Sequence, residues 1–91
     1  MKILFHPGRC VMTNGAAELL GSLGKQPLDY IHMHVGQLKG QMCDEDHEAN
    51  MRAIENGTRV FSRYEVASNQ VIYVITEADR SATTILLPSE Y

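Results

Sequence analysis

The 91-residue chain contains no tryptophan, two cysteines, three prolines and eight basic residues, and each scarcity removes a class of explanation. Cys10 and Cys43 are widely separated and neither has a second cysteine at metal-site spacing. A zinc knuckle is thereby excluded and a disulfide framework is not expected. No stretch approaches the ~20 consecutive apolar residues that span a bilayer. The opening Met1-Lys2-Ile3-Leu4-Phe5-His6 meets Pro7 and Gly8 where a signal peptide needs a continuous apolar run. A cytoplasmic location, with no membrane partner, is the expectation. Eleven acidic residues exceed the bases, leaving a net charge of −3. Direct nucleic-acid binding, which depends on clustered Lys and Arg neutralising phosphates, is therefore not expected. Gly-x-Ser-x-Gly, a phosphate-cradling glycine loop and His-Glu-x-x-His are all missing, so the common enzyme signatures give no lead.

What is present is an ordinary globular composition, 44% hydrophobic and 21% charged, enough for one two-layer core in a single domain over residues 1–91. Ile3-Leu4-Phe5 and Cys10-Val11-Met12 flank a His-Pro-Gly turn and suggest a short N-terminal strand or bent pair. Thr13 has the position of an N-cap, with Ala16, Leu19, Leu20 and Leu23 at helical spacing until Gly24 stops the helix. Pro27 suits the first turn of a second helix, over 27–38, whose buried face would be Leu28, Ile31, Val35 and Leu38. A third helix is predicted from Asp44 to Asn56. Asp44, Glu45, Asp46 and Glu48 crowd its first turn, where the helix dipole favours negative charge, and Met51 and Ile54, with Ala49 and Ala53, form a thin apolar face.

The second half alternates as strands do. Val60, Ser62, Tyr64 and Val66 share one face, Ser68-Asn69 fits a hairpin tip, and β-rich runs follow at 71–76 and 82–87. The expected fold is α+β: a two-layer sandwich in which a short strand and helices pack on a three- to four-stranded antiparallel sheet.

Two sets of residues invite a functional reading. Glu77, Asp79 and Arg80 sit together in the polar turn between the last two strands, and with Asp44, Glu45, Asp46 and Glu48 they form the candidate partner-binding groups. His34, Arg59, Ser62, Tyr64 and Thr84 match in type the residues of metal-independent small ribonucleases, an alternative that requires all five to converge. His32 and His34 lie two apart in a helical pattern, which points them in different directions, so no metal and no other cofactor is expected.

Arg59-Val60-Phe61-Ser62-Arg63-Tyr64, Ile72 through Ser81, Thr83-Thr84-Ile85-Leu86-Leu87-Pro88 and the closing Glu90-Tyr91 resemble a family of small plasmid-related proteins carried by proteobacterial plasmids and integrative elements. The first half resembles it through Pro7-Gly8-Arg9, Thr13 and His34-Val35. It departs at Gly36-Gln37-Leu38-Lys39-Gly40, where the family has a Gly-Asp-Trp-Gly-like segment. The resemblance implies a mobile-element context. Small acidic proteins of that origin are often anti-CRISPR or anti-restriction inhibitors that occupy a surface of a host protein or ribonucleoprotein complex. The expected function is such non-enzymatic antagonism by a monomer or homodimer. The alternatives are the ribonuclease-like or toxin-like enzyme and a structural dimerisation module that uses an exposed edge strand.

Overall fold

The computed structural model describes residues 3–37 and 43–91. Strand β1 (Arg9–Met12) leads into helices α1 (Asn14–Leu23), α2 (Pro27–Gly36) and α3 (Asp44–Asn56). The meander β2 (Val60–Ala67), β3 (Gln70–Thr76) and β4 (Ala82–Leu86) follows, and a 3-10 turn at Pro88–Glu90 ends the chain. The α+β sandwich is as expected, with one difference in the sheet. Its order is β1-β4-β3-β2, and β1 lies parallel to β4, so the sheet is mixed. The meander alone is antiparallel. Ile3-Leu4-Phe5 is not a strand. It bends across the end of α2, where the Leu4 N–H donates to the Val35 carbonyl at 2.8 Å and Phe5 is buried.

Local chemistry sets the helix limits. Thr13 caps α1 by accepting from the Ala16 N–H, and Gly24 closes it in the left-handed conformation. Glu90 reinforces the start from the other end of the chain: its carboxylate accepts from the Thr13 hydroxyl and the Gly15 and Leu87 N–H groups. Those bonds, Thr13 foremost, hold its pKa below the usual carboxylate range. Gln37 ends α2 with a positive φ. The predicted continuation to Leu38 lies outside the described residues.

All three helices cover one face of the sheet. Ala16 and Leu20 of α1, Tyr30, Ile31 and Val35 of α2, and Ala53 of α3 join Val60, Tyr64, Val66, Ile72, Val74 and Ile85 in one buried cluster. The α2 stripe is rotated from its expected position: Leu28 is 58% exposed, while Tyr30 and His34 are inside. In α3, Asn50 and Ala53 are buried and Met51 is exposed. Both shifts have one cause, a polar residue on each helix that the core needs. Among the described residues no helix is long and apolar enough to cross a membrane.

The turn before β1 meets the turn before β4 closely. Gly8 has φ +66°, and a Cβ there would lie 2.3 Å from the Arg80 carbonyl oxygen and 2.6 Å from the Ser81 backbone. By contrast, a Cβ on Gly21, inside α1, would meet nothing within 4 Å. Gly8→Ala is expected to lower stability by about 2 kcal/mol or more, through strain and backbone collision. Gly21→Ala should raise it by about 0.5–1 kcal/mol through helix propensity. Urea denaturation of the two variants against the unmodified protein checks both signs.

Candidate functional site

The residues singled out for catalysis divide between the two sides of the sheet. His34, Ser62 and Tyr64 lie on the helix-covered side with 0%, 1% and 0% exposure. Arg59 and Thr84 lie on the other side, bordering a shallow groove of about 300 Å³ shared with Ile75, Glu77, Leu86 and Tyr91. Thr83 and Thr84 show why: neighbours on a strand face opposite ways, so Thr83 is buried while Thr84 reaches the open face. The five groups therefore do not form one cleft.

The buried side holds a chain of hydrogen bonds whose proton directions can be deduced. The Thr83 hydroxyl donates to the Pro7 carbonyl oxygen at 2.7 Å, so it must accept from Thr76 across their 2.6 Å contact. Thr76 has then used its single proton and accepts from His34 Nε2 at 2.9 Å. With the proton on Nε2, neutral His34 accepts at Nδ1 from the Ser62 hydroxyl, 2.7 Å away. Ser62 in turn accepts from Asn50 Nδ2 at 3.2 Å, and Asn50 Oδ1 accepts from the Phe61 N–H at 3.1 Å, which fixes the amide's orientation. The ring of Phe5 stands edge-on to the imidazole at 5.3 Å.

Burial, with a smaller contribution from the positive charge of Arg80, lowers the His34 pKa to about 3. The imidazole is neutral throughout the physiological range, and its two nitrogens are both committed to hydroxyls. A Ser–His contact is also how a base activates a hydroxyl nucleophile, but with His34 0% and Ser62 1% exposed neither group reaches the surface in this structure. Tyr64 is also set inside, and burial raises its pKa; among the described residues its hydroxyl has no partner in hydrogen-bond geometry.

The residues expected to touch a partner are equally divided. Arg80 is turned inward: Nη1 donates to the carbonyls of Thr58, Glu77 and Ala78, Nη2 donates to that of Ala53, and the guanidinium lies 5.4 Å from the Phe5 ring centre. It thus clamps the β3–β4 turn to the C-terminal end of α3, where a cation is favoured by the helix dipole. Asp79 shapes the same turn by accepting from the Ser81 N–H at 3.0 Å, and its bonds to Ser81 lower its pKa. Glu77 remains exposed. Asp44, Glu45, Asp46 and Glu48 are exposed in the N-terminal part of α3, a helix about 18 Å long at 1.5 Å per residue whose other end meets the turn. The two acidic sites are consequently separate.

What unites the outer acids is α3 itself. Glu45, Glu48, Arg52 and Glu55 recur at helical spacing, all exposed. The helix carries five acidic residues and one arginine, a larger negative charge than the −3 of the whole chain, so the remainder is slightly basic. Sequence reasoning found the first-turn acids but missed Glu55, although its spacing from Glu48 and Arg52 was readable.

The open sheet face carries a feature not anticipated: Phe61, Tyr73 and Tyr91 cluster, Tyr91 edge-on to the other two, with Phe61–Tyr73 ring centres 4.7 Å apart and Arg59 5.5 Å from the Tyr91 ring centre. These contacts close the C-terminus over Ile75 and Leu86. Among the described residues no group of three or more His, Cys, Asp or Glu side chains comes together to hold a metal. Comparison with known proteins found no matching family model, no matching curated protein and no matching solved structure.

The His34 pKa makes stability depend on pH. Between the unfolded value near 6.5 and the folded value of about 3, the unfolded chain binds a proton that the folded chain does not. This contribution is complete above pH ~6.5 and is lost as pH falls towards 3. Over the full window it amounts to a few kcal/mol, on the order of 1.4 per pH unit. His34→Gln, which keeps amide partners for both hydroxyls but does not titrate, should be less stable at pH 7 yet show a shallower loss between pH 6.5 and 3. Parallel denaturation curves across that range measure it; an unchanged slope would contradict the assignment.

Proposed function

We propose that this protein is a non-catalytic binding module whose acidic α3 face docks on a basic, nucleic-acid-contacting surface of a host protein or ribonucleoprotein complex and obstructs it. The single observation that carries the reading is the segregation of charge: a chain of modest net charge concentrates its acids along the solvent side of one helix. A row of carboxylates on a rigid cylinder offers a basic channel what a phosphate backbone offers, repeated negative charge at fixed spacing. Long-range attraction of this kind speeds encounter and selects partners by sign. The resemblance to plasmid-borne proteins supplies the context, in which an anti-restriction or anti-CRISPR role is the form such binding takes.

The internal use of His34, Ser62 and Tyr64 favours this reading over the ribonuclease-like alternative. Asp79 and Arg80 support the surface by rigidifying the turn below α3, and Glu77 faces the opposite groove. The partner-binding set is therefore narrowed to the helix.

The test starts from capture of the partner from a host extract, identified by mass spectrometry. Glu45→Lys, Glu48→Lys and Glu55→Lys combined should then weaken its binding by about tenfold or more, and salt should weaken binding of the unmodified protein. These side chains lie on the solvent side, so the melting temperature should fall only modestly, mostly from lost helix-dipole stabilisation at Glu45. Salt-independent association that survives the triple reversal would reject the surface. RNA cleavage abolished by His34→Ala in a folded variant would instead establish the enzyme.

A further inference from the structure

Strand β1 offers an unused pairing edge. The Arg9 N–H donates to the Ser81 carbonyl and the Thr13 N–H to that of Ile85, so Arg9, Val11 and Thr13 turn their backbone groups towards β4. Alternation along the strand turns the N–H and C=O groups of Cys10 and Met12 to the other side. Among the described residues no strand occupies that side. The strand is short, four residues with Arg9 at its start, but Arg9-Cys10-Val11-Met12 has no proline, no lysine and no bulge to block pairing.

Beside this edge, on the helix-covered side, runs an apolar groove of about 310 Å³ whose walls include Cys10, Met12, Pro27, Leu28, Ile31 and Ile85. Met12 is 38% exposed and Leu28 58%. The occupant must be an extended segment. It must offer outward N–H and C=O groups at two residues spaced two apart, with apolar side chains at those same positions to meet the groove. A second β1 has both properties.

We propose that two copies of this chain associate by antiparallel pairing of their β1 strands about a two-fold axis through Val11. Cys10 of one copy then lies opposite Met12 of the other, and each such pair exchanges both its backbone hydrogen bonds. No other symmetric register does as well: one centred on Cys10 pairs that residue with itself and places Met12 opposite Gly8, at the turn. The axis stands perpendicular to the sheet, so the helices of both copies share a side and the two Leu28 side chains approach over the seam. Antiparallel pairing also sets each Arg9 opposite a Thr13 and keeps the two arginines at opposite ends, where parallel pairing would bring like charges together. The α3 faces, at the far β2 edge, remain available to partners, and the dimer presents two of them. A contact this small belongs with transient interfaces, below roughly 1,200 Å².

Two measurements test the pairing. Sedimentation equilibrium up to about 200 µM, a range that detects weak association, should show a reversible dimer. Met12→Lys combined with Leu28→Lys should abolish it, leaving a monomer with near-native circular dichroism. The register is tested by Val11→Cys in a Cys10→Ser, Cys43→Ser background. At the centre of the pairing Val11 faces its own copy as a non-hydrogen-bonded pair, with Cα atoms ~4.5 Å apart, within disulfide range. Mild oxidation should link this variant into a dithiothreitol-reversible dimer at least about ten times faster than an Ala49→Cys control on exposed α3. A wild-type protein that remains monomeric across the concentration range, or a Val11→Cys variant that crosslinks no faster than the control, overturns the proposal.

Discussion

The rest of the structure depends on keeping one uncharged imidazole dry and fully hydrogen-bonded. Burying a polar ring between two layers is costly unless each nitrogen finds a partner, and the low dielectric that imposes the cost also strengthens the bonds that offset it. His34 on α2 meets Ser62 on β2 and Thr76 on β3. Those contacts extend to Thr83 on β4, the Pro7 carbonyl ahead of β1, and Asn50 on α3. Every proton in the chain has one direction, so the register of the strands and the rotation of two helices are specified together. A purely apolar stripe would tolerate sliding; this one does not.

A second constraint acts at the periphery. Arg80 binds the end of α3 and stacks on Phe5, which itself stands against His34. The β3–β4 turn, α3 and the N-terminal bend are thus held as one unit, and Gly8 is needed where that unit meets β1. Residues with the most chemical character are spent on assembly. The exterior is differentiated: acidic along α3, aromatic on the open sheet face, and apolar at β1, which is an edge strand among the described residues.

Much of this architecture was legible because its signals are local. Thr13, Gly24, Pro27 and Asn56-Gly57 delimit helices through capping and propensity that need no tertiary information, and the alternation from Val60 to Val66 names its buried face directly. The parallel placement of β1 was not legible, because it depends on a strand more than seventy residues away. Hydrophobic periodicity also misplaced the inner face of α2 around Leu28. It cannot register a histidine as a core residue, and the same blindness hid Asn50 on α3. Arg80 read as a surface charge because two of its four carbonyl acceptors, those of Ala53 and Thr58, come from distant backbone. For the candidate site, residue types suggested a cleft of five groups, whereas the pleat places Arg59 and Thr84 across the sheet from His34, Ser62 and Tyr64.

The central claim is that His34 is an interior, neutral, singly protonated link in a scaffold, closed to water. Long-range ¹H–¹⁵N correlation NMR of the histidine ring nitrogens, followed from neutral pH into the acid range while the protein stays folded, tests it most directly. The account predicts a single tautomer with hydrogen on Nε2, slow exchange with solvent, and no titration near the ordinary histidine pKa of 6.5. A His34 ring that titrates near that value, or that averages between tautomers, would show an imidazole open to water and contradict the account.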